Sequence, residues 1–351
     1  MLTLITGGAG FVGSRLGNLI AAAGQRVVLF DSLHPQVHTS AVHVGRGQDL
    51  FVGDVRDSAS WDRCFLQFGV PHVIVHLAAE TGTGQSLNEA TRHGSANVVG
   101  TTEMTDALVR HKVRPAQIVL ASSRAVYGEG AWVDTAEASW YPEPRSGATL
   151  AAGQWDPPSP SGLAGRPVTH RAATTWARPS NVYAATKLAQ EHILEAWCAS
   201  YEVPLSVLRL QNVYGPGQAV GNAYTGVLTF FARQTATGQQ LEVYEDGAIV
   251  RDFVFVDDVV RAMRAAINRP PAGVRRVDIG GGEGVTLLEV ANEMASLGGA
   301  AAPIVTGAYR LGDVRAASAD VSAARVELEW EPQVDLATGL NALLDWVPSQ
   351  L

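Results

Sequence analysis

Short apolar runs alternate with stretches of helical periodicity through the first 210 residues of the 351-residue chain. Each run ends in small or polar residues, as the buried strands of a parallel sheet do. The runs lie at residues 2–6, 27–31, 50–54, 71–79, 117–123 and 205–210. Strands that alternate with helices predict a parallel sheet with helices on both faces, and therefore an α/β fold of the doubly wound type.

The pattern changes after residue 210. Short strands are expected at 253–256 and 276–279, between helical stretches at about 257–268 and 285–297, and an amphipathic helix is expected near 340–344. We therefore predict a larger domain at 1–210 and a smaller C-terminal lobe at 211–351, with a ligand cleft between them.

One segment of the larger domain breaks its rhythm. Residues from about 128 to 180 are rich in Pro, Gly, Ser and Ala and have no convincing helical or strand period. An irregular insertion of this length is typical of a lid, a binding loop or a surface excursion without chemistry, and the sequence leaves these alternatives open.

The first predicted strand leads directly into a glycine-rich loop and then a helix. Gly7, Gly10 and Gly13, with Phe11 and Val12 between them, have the spacing of a dinucleotide-binding loop. Such glycines allow a tight turn, close approach of the backbone to a pyrophosphate, and close packing of helix on strand. The sequence therefore predicts a Rossmann-type dinucleotide-binding domain.

The second predicted strand ends at Asp31. A carboxylate there can accept hydrogen bonds from the adenosine ribose hydroxyls and repels a 2′-phosphate, so NAD is favoured over NADP as the cofactor. The alternative is an aspartate that only caps the turn after the strand.

Other candidate site residues follow from the same sheet. In a doubly wound sheet the ligand crevice lies at the carboxyl ends of the strands. Asp54, Ala78, Ala79, Ser122 and Ser123 end predicted strands or follow them directly, and we expect them to line that crevice.

Tyr183 and Lys187 are four residues apart in a predicted helix that continues through residue 199. Residues at i and i+4 share a helix face, so the ammonium can lie near the phenol and favour its ionised form. A tyrosine in that setting can act as a base near neutral pH. Such a pair is also common on ordinary helix faces, so the interpretation depends on the glycine loop and the strand ends.

Composition limits the partners. A formal net charge of -8 gives no general attraction to nucleic acid or anionic membranes, and a small-molecule partner is favoured. The two cysteines, Cys64 and Cys198, have no paired spacing, so neither a disulfide framework nor a thiolate metal site is indicated. No signal peptide and no apolar run of membrane-spanning length is evident, and we expect a cytoplasmic protein.

The chain resembles the extended short-chain dehydrogenase/reductases, specifically the NAD-dependent nucleotide-sugar epimerase/dehydratase group. Within that group it is most similar to bacterial 4-epimerases of dTDP-L-rhamnose or UDP-glucuronate, through residues 84–86 and 209–218. The ordered matches to the group as a whole lie at residues 6–13, 53–57, 76–79, 97–101, 122–128, 183–187, 212–216 and 251–258.

The resemblance implies residue roles. Ser123, Tyr183 and Lys187 match the catalytic residues: the serine orients the sugar oxygen, the tyrosine takes the C4 hydroxyl proton, and the lysine holds the nicotinamide ribose. The cofactor-binding matches, besides the glycine loop, Tyr183 and Lys187, are Asp31, Asp54, Val55, Leu77, Ala78, Ala79 and Asn97. The matches for binding of a dTDP- or UDP-linked sugar, besides Ser123 and Tyr183, are Asn212, Arg251, Arg310, Asp313 and, weakly, Arg315. The family also implies a homodimer built on the helices around 95–111 and 182–199.

Two absences separate activities within the group. Related dehydratases carry an Asp-Glu pair after the catalytic Ser or Thr, where this chain has Arg124 and Ala125, so elimination of water is disfavoured. Oxidation of C6 to an acid would be expected to use a cysteine nucleophile, and neither cysteine lies in a catalytic motif.

The expected activity is reversible 4-epimerisation through a 4-keto sugar. A 4-dehydrogenase or 4-ketoreductase that exchanges its cofactor is a close alternative. A non-catalytic NAD-binding regulator on the same fold is a more distant one, because fold does not fix function.

Overall fold

A computed structural model describes residues 1–38, 44–221 and 226–351. Its regular structure alternates between strand and helix, as the sequence predicts. The strands are β1 (Leu2–Thr6), β2 (Arg26–Asp31), β3 (Gln48–Val52), β4 (Val73–His76), β5 (Gln117–Ser123), β6 (Trp132–Asp134), β7 (Ser139–Trp140), β8 (Gly165–Pro167), β9 (Leu205–Leu210), β10 (Asn212–Tyr214), β11 (Glu242–Val243), β12 (Val250–Phe255), β13 (Val274–Ile279), β14 (Gly284–Thr286), β15 (Ile304–Val305) and β16 (Ala316–Ala317).

Most α-helices of the described residues lie between these strands, and the last two follow β16. They are α1 (Phe11–Ala22), α2 (Ser58–Phe68), α3 (Thr83–Asn88), α4 (Ala90–His93), α5 (Gly100–Arg110), α6 (Gly147–Ala151), α7 (Val182–Tyr201), α8 (Val227–Ala236), α9 (Val256–Asn268), α10 (Leu287–Gly298), α11 (Ser322–Leu328) and α12 (Leu336–Trp346). A π-helical segment, Gly94–Val99, joins α4 to α5, and 3₁₀ turns lie at Arg124–Tyr127 and Val347–Gln350.

A seven-stranded sheet forms the centre of the molecule, in the order β13-β9-β5-β4-β1-β2-β3. All its neighbouring strands are parallel. From β1 the chain adds β2 and β3 on one side of the sheet, and it then adds β4 and the later strands on the other side. The strand order therefore reverses between β1 and β4, which is the position where doubly wound sheets open a crevice for a ligand. The predicted doubly wound α/β fold is confirmed.

Both faces of this sheet are buried, which explains why its strands are nearly continuous apolar runs. On one face α1 contributes Leu16 and Ile20, α9 contributes Val259 and α11 contributes Leu328 to a core with Ile5. On the other face α2, α5 and α7 supply a second set of buried side chains: Trp61, Cys64, Phe65, Met104, Leu108, Leu194 and Cys198. Both cysteines are therefore buried, free thiols, and burial raises the pKa of each to about 12.

The C-terminal part has a third core of its own, formed chiefly by α8, α10 and α12 against β12. Strand β12 pairs with β10, β14 and β16 in a four-stranded sheet. The strand expected at 276–279 was predicted to belong to the C-terminal lobe. In the structure it is β13, which pairs with β9 and completes the large sheet. Helix α9 also packs on the large sheet. The chain after residue 210 therefore contributes both to the large sheet domain and to the C-terminal lobe.

The insertion at 128–180 is more ordered than its composition indicates. Strands β6, β7 and β8 form a small antiparallel sheet within it, and α6 follows β7. These elements are only two to five residues long, which is too short to produce a periodic signal.

Buried ion pairs fasten the insertion to the C-terminal lobe. The guanidinium of Arg145 lies between Glu129, at 3.2 Å, and Glu245, at 2.9 Å, and all three side chains are at most 3% exposed. Arg315 also contacts Glu245, at 3.0 Å, and bonds to Asp156 in the insertion at 2.7 Å. Apart from Asp156, which is exposed, these charged groups are withdrawn from water, so each depends on its partners.

Among the described residues, no helix combines the length and apolar character needed to cross a bilayer.

We expect Arg145→Met to destabilise the protein by about 3 kcal/mol, because it leaves Glu129 and part of Glu245 buried without a counter-ion. Denaturant unfolding measures the loss, and limited proteolysis should show earlier cleavage within 128–180. The matched control is Arg166→Met in the same insertion, where the pair with Glu137 is exposed, and it should change stability by at most about 0.5 kcal/mol. Equal effects of the two substitutions would contradict the assigned role of the buried pairs.

Candidate active site

A cavity of about 450 Å³ opens at the carboxyl edge of the large sheet, beside the point where the strand order reverses. The structure brings most of the predicted cofactor and catalytic residues to its wall. Those at the wall are Gly7, Gly10, Phe11, Val12, Gly13, Asp31, Asp54, Val55, Leu77, Ala78, Ala79, Ser123, Tyr183 and Lys187.

The glycine loop can exist only without side chains at two of its positions. Gly7 has φ +64°, and a Cβ added there would lie 2.9 Å from the amide nitrogen of Ala78. A Cβ on Gly13 would overlap the carbonyl oxygen of Gly7. Helix α1 begins directly after Gly10, so its N-terminal amides face the cavity. This backbone cradle at a helix N-terminus fits the pyrophosphate of a dinucleotide.

Asp31 is placed for both of the roles that the sequence left open. Its carboxylate accepts hydrogen bonds from the amides of Ala9, at 3.0 Å, and Leu33, at 2.9 Å, so it caps the turn after β2 and holds the glycine loop. It also lines the cavity, where it can meet a ribose. Asp54 lies further along the same wall, and hydrogen bonding from Arg56 lowers its pKa.

Asn97 is the exception among the predicted cofactor residues, because it is not at the cavity wall. Its carboxamide is fully buried; it accepts from the amide of Glu80 at 2.7 Å and donates to the carbonyl of Glu80 at 3.0 Å. It also donates to the hydroxyl of Thr186 at 2.8 Å. Asn97 therefore fixes the loop after β4 to helix α7, behind the residues that face the cavity.

Several residues of the wall were not predicted. His34, Arg56, Glu80 and Arg92 come from loops and a short helix at the cavity mouth. Arg92 bonds to Glu80 at 2.8 Å, and no sequence motif marks that pair. Only the fold brings these segments to the edge of the sheet.

Tyr183 reaches the cavity from the first turn of α7. Asn181 caps this helix by accepting from the amide of Ala184 at 2.9 Å, which fixes where the first turn starts. Ser123, the last residue of β5, lies at the same cavity wall as Tyr183. Burial raises the pKa of Tyr183, while the Ser123 hydrogen bond and the charge of Arg124 lower it. A buried phenol with these two neighbours is a suitable acid-base group.

Lys187 also lines the cavity, but its Nζ donates to Gln190 on the next turn of α7. Burial lowers the pKa of Lys187 to about 7, opposed by the charge of Glu191. The effect expected of this ammonium on the phenol stays a prediction, and the charge of Arg124 is a further influence that lowers the pKa of Tyr183.

A buried chain of hydrogen bonds holds Gln190 in turn. Its amide donates at 2.8 Å to the Thr101 hydroxyl, which itself donates to the Asn97 carbonyl at 2.6 Å. The Thr101 oxygen is thus an acceptor, so the His76 ring donates to it from Nε2 at 3.0 Å, and Nδ1 accepts from Thr6 at 2.7 Å. Burial lowers the pKa of His76 to about 3, and the neutral ring completes the chain.

A second buried network lies on the other side of α7. The Arg209 guanidinium forms two hydrogen bonds with Glu191, at 3.0 and 2.7 Å, and lies 4.8 Å from the centre of the Tyr127 ring. The Tyr127 hydroxyl donates to Asp278 at 2.7 Å, and the amide of Ala172 donates to the other oxygen of Asp278 at 2.7 Å. This network connects α7, β9, β13 and the insertion. The family that the chain resembles often has an asparagine at the position of Asp278.

On the far side of Ser123, four residues form a mixed polar cluster: Arg124, Asn212, Arg251 and Asp313. Arg124 donates from Nε to Asn212 at 2.9 Å. Burial and the charge of Arg124 lower the pKa of Arg251 to about 9, while the charge of Asp313 opposes both. Among the described residues, the hydrogen bond recorded for the Arg251 side chain goes to the carbonyl of Val250. Within the described part of the chain, most donors of both guanidiniums therefore have no recorded acceptor, as an anion site requires.

The other two predicted substrate residues lie elsewhere. Arg310 is exposed, with its guanidinium 5.2 Å from the centre of the Tyr244 ring. Arg315 is only 5% exposed, and its guanidinium is bound by Asp156, Glu245 and Asp246. In this structure Arg315 joins the insertion to the lobe, which matches the salt-bridge role that isolated arginines usually have.

Comparison with known proteins agrees with this geometry. Residues 3–147 and 159–280 match the NAD dependent epimerase/dehydratase family. The chain belongs to this family. It is 47% identical to a dTDP-L-rhamnose 4-epimerase of Burkholderia thailandensis, over 99% of this chain and 95% of that protein.

Two solved structures of the family have the same fold over the whole chain. A UDP-glucose 4-epimerase of Thermotoga maritima, solved with UDP-glucose, has a TM-score of 0.79 at 26% identity and covers 100% of this chain and 99% of its own. A UDP-glucose 4-epimerase of Thermus thermophilus, solved with NAD, has a TM-score of 0.78 at 27% identity, with 100% of both chains covered. NAD is the cofactor of the family, and the glycine cradle and Asp31 fit it.

We expect Gly13→Ala to weaken NAD binding at least tenfold, about 1.4 kcal/mol, because its Cβ overlaps the loop backbone. Calorimetric titration of NAD into protein stripped of cofactor measures the change, and thermal unfolding tests whether the fold persists. The matched control is Gly94→Ala, where a Cβ meets no atom within 4 Å, and it should bind NAD like the wild type. Unchanged affinity in the Gly13 variant would contradict the placement of the pyrophosphate.

A pH dependence follows from Asp278. Burial raises its pKa to about 7, so the folded state keeps a proton that the unfolded state releases near pH 4. Its contribution to stability is full below about pH 4 and is lost as the pH rises through about 7. The free energy of unfolding of the wild type, relative to Asp278→Asn, should therefore decline by up to about 1.4 kcal/mol per pH unit in that window.

Denaturant unfolding of both proteins from pH 5 to pH 8 measures this difference. The other titrating groups are common to both proteins and cancel. A difference that stays constant, or that grows with pH, would show that Asp278 is ionised throughout.

Proposed function

We propose that this protein catalyses the reversible 4-epimerisation of a nucleotide-diphosphate sugar through a transient 4-keto sugar. The observation that carries the proposal is that Ser123 and Tyr183 line the NAD cavity together, and that Arg124 follows Ser123 in the chain. NAD, when bound, supplies the hydride acceptor and donor. Arg124 and Ala125 stand where the related dehydratases have their acid and base for loss of water. The proposed reaction is therefore hydride transfer at C4 without elimination.

In this proposal Tyr183 takes the proton of the C4 hydroxyl and later returns it. Ser123 holds the same sugar oxygen, since it lines the same cavity as Tyr183. Lys187 holds the nicotinamide ribose. Each role is assigned to a side chain that is already at the cavity wall.

The sugar nucleotide is proposed to lie on the far side of Ser123. Arg251 and Asn212 bind its diphosphate and ribose there, near Asp313, because the donors of Arg251 are available and its charge is little neutralised. Arg310 contributes from its exposed segment. Arg315 would act at this site only if it left its three carboxylates, so we assign it the smallest part.

The nucleotide is proposed to be dTDP or UDP. A dTDP-linked 6-deoxysugar is the first substrate to test, since the relative at 47% identity is named for dTDP-L-rhamnose. We also propose that residues 1–210 mainly bind NAD and that residues 211–351 mainly bind the sugar nucleotide. We further propose that the protein is a cytoplasmic homodimer formed through α5 and α7. The exposed side chains of Val99, directly before α5, and Val109, in α5, would contribute to that interface.

The competing activity is a 4-dehydrogenase or 4-ketoreductase, which would share every residue named above. It differs in whether the cofactor leaves. A non-catalytic NAD-binding regulator is the other alternative, and the presence of both Tyr183 and Lys187 at the wall argues against it.

The test supplies dTDP-L-rhamnose to the purified protein without added NAD and follows the sugar by NMR. We expect the C4 epimer to form over many turnovers with no NADH in solution. Stoichiometric accumulation of NADH would instead establish the dehydrogenase.

Tyr183→Phe should reduce kcat at least 100-fold, while NAD binding and thermal stability stay near wild type, because only a proton-transfer group is removed. The matched control is Tyr309→Phe, which alters an exposed tyrosine and should leave kcat unchanged. Wild-type properties in the Tyr183 variant would favour the regulator.

A further inference from the structure

The order of strands in the large sheet sets the direction in which a dinucleotide lies along the cavity. The glycine cradle for the pyrophosphate follows β1, and Asp31, which can meet the adenosine ribose, ends the neighbouring strand β2. On the other side of β1, Ser123 at the end of β5 is paired in register with Leu210 at the end of β9. With the adenosine at the β2 end, the nicotinamide half of the cofactor belongs at the β5–β9 end of the cavity.

Gln211 is the first residue beyond β9 at this end. Its backbone amide donates to the carbonyl of Ile279, the last residue of β13, at 2.8 Å, so the sheet fixes its position. Gln211 lines the cavity together with Leu210 and Val213, yet it is only 4% exposed. Its carboxamide is therefore withdrawn from water at the nicotinamide end.

Within the described residues, the Gln211 carboxamide has no hydrogen-bond partner. This holds both for its donor, Nε2, and for its acceptor, Oε1. Gly280 packs against the Cγ of Gln211 and the carboxylate of Asp252. That carboxylate accepts instead from the backbone amides of Gly281, at 2.6 Å, and Ala319, at 3.3 Å.

Gln211 differs from the other buried polar groups that lack a partner. Across residues 1–38, 44–221 and 226–351, it is the one residue of that kind at the cavity wall. It is also the one in which a donor and an acceptor are unpartnered together. A buried amide without partners costs free energy, so such a group beside a ligand cavity is explained when the ligand supplies both hydrogen bonds.

The nicotinamide ring carries a group of the matching chemistry. Its primary carboxamide presents one oxygen acceptor and one NH₂ donor side by side, and the side chain of Gln211 presents the same two groups. Two such amides can join through a pair of hydrogen bonds. A sugar hydroxyl has a single oxygen and would meet one of the two Gln211 atoms, so it fits the site less well.

We propose that Gln211 binds the carboxamide of the nicotinamide through two hydrogen bonds and thereby fixes the rotation of the ring at the end of the cavity that Ser123 and Tyr183 line. NAD is the cofactor of the family, so this inference does not depend on the proposed 4-epimerisation. A ring held in one rotation presents its reacting carbon in one place, which hydride transfer requires.

The experiment compares NAD with 3-acetylpyridine adenine dinucleotide, in which a methyl ketone replaces the carboxamide and removes its NH₂ donor. The holoprotein is equilibrated with mixtures of the two dinucleotides, and the ratio bound is measured after gel filtration. We expect the wild type to prefer NAD, because the analogue leaves Oε1 of Gln211 buried and unpaired. Gln211→Met should reduce this preference about tenfold, since neither dinucleotide then leaves a buried amide unpaired.

Thermal unfolding of the full-length chain without cofactor separates binding from a structural role. Gln211→Met should melt no lower than the wild type, because it removes a buried amide that has no partner within the described residues. The matched control is Gln234→Met in α8, away from the cavity wall, where Nε2 donates to the carbonyl of Gln240 at 3.1 Å. It should melt lower than the wild type and keep the wild-type preference for NAD. Gln211→Leu repeats the test if the methionine variant fails to fold.

A wild-type preference for NAD in the Gln211 variants overturns the inference. The same preference with a lower melting temperature would show a structural role for Gln211, and with a raised KM for dTDP-L-rhamnose it would assign Gln211 to the sugar. If the preference falls as expected but no nucleotide sugar is epimerised, the proposed function fails and the assignment of Gln211 stands. If epimerisation occurs and the preference does not fall, only the assignment of Gln211 fails.

Discussion

Burial of the Tyr183 phenol is the constraint on which the site depends. A phenol withdrawn from water resists ionisation, and its pKa rises unless nearby groups stabilise the anion. Ser123, at the end of β5, and the charge of Arg124, in the turn that follows, both act to lower that pKa. Consecutive residues thus act on one oxygen, so the exact course of the chain as it leaves the sheet decides whether the tyrosine can work.

The surrounding polar networks explain how these groups keep their places. On one side of α7, Lys187 is connected through Gln190, Thr101 and His76 to Thr6, directly before the glycine loop. Thr6 also accepts from the amides of Leu77 and Ala78, so the cofactor loop and the catalytic helix share one framework. Buried polar chains of this kind are stable only when each member is satisfied, which restricts the arrangement to one geometry.

The second network, around Arg209 and Asp278, connects the insertion to the catalytic helix α7. Arg209, Glu191, Tyr127 and Asp278 run from α7 to residue 172, and Arg145 and Arg315 fasten the insertion to the lobe from the other side. A segment that by composition resembles a loose excursion is therefore held by buried charges at both edges. Arg145 of the insertion donates to the carbonyl of Asp313, so the insertion lies beside the mixed polar cluster and the proposed sugar-nucleotide site.

By itself the sequence determined the doubly wound sheet, the glycine loop, the strand ends that line the cavity, and the pair Tyr183 and Lys187. Each of these is a local pattern, because strand periodicity, turn glycines and i,i+4 spacing act over a few residues. Only the tertiary structure decided that β13 completes the large sheet, that Asn97 lies behind the cavity and that Arg315 is bound by carboxylates. It alone also placed the side chain of Arg124 against Asn212, the first residue of β10. These outcomes depend on partners far apart in the chain and on the loss of water around them, and a linear pattern records neither.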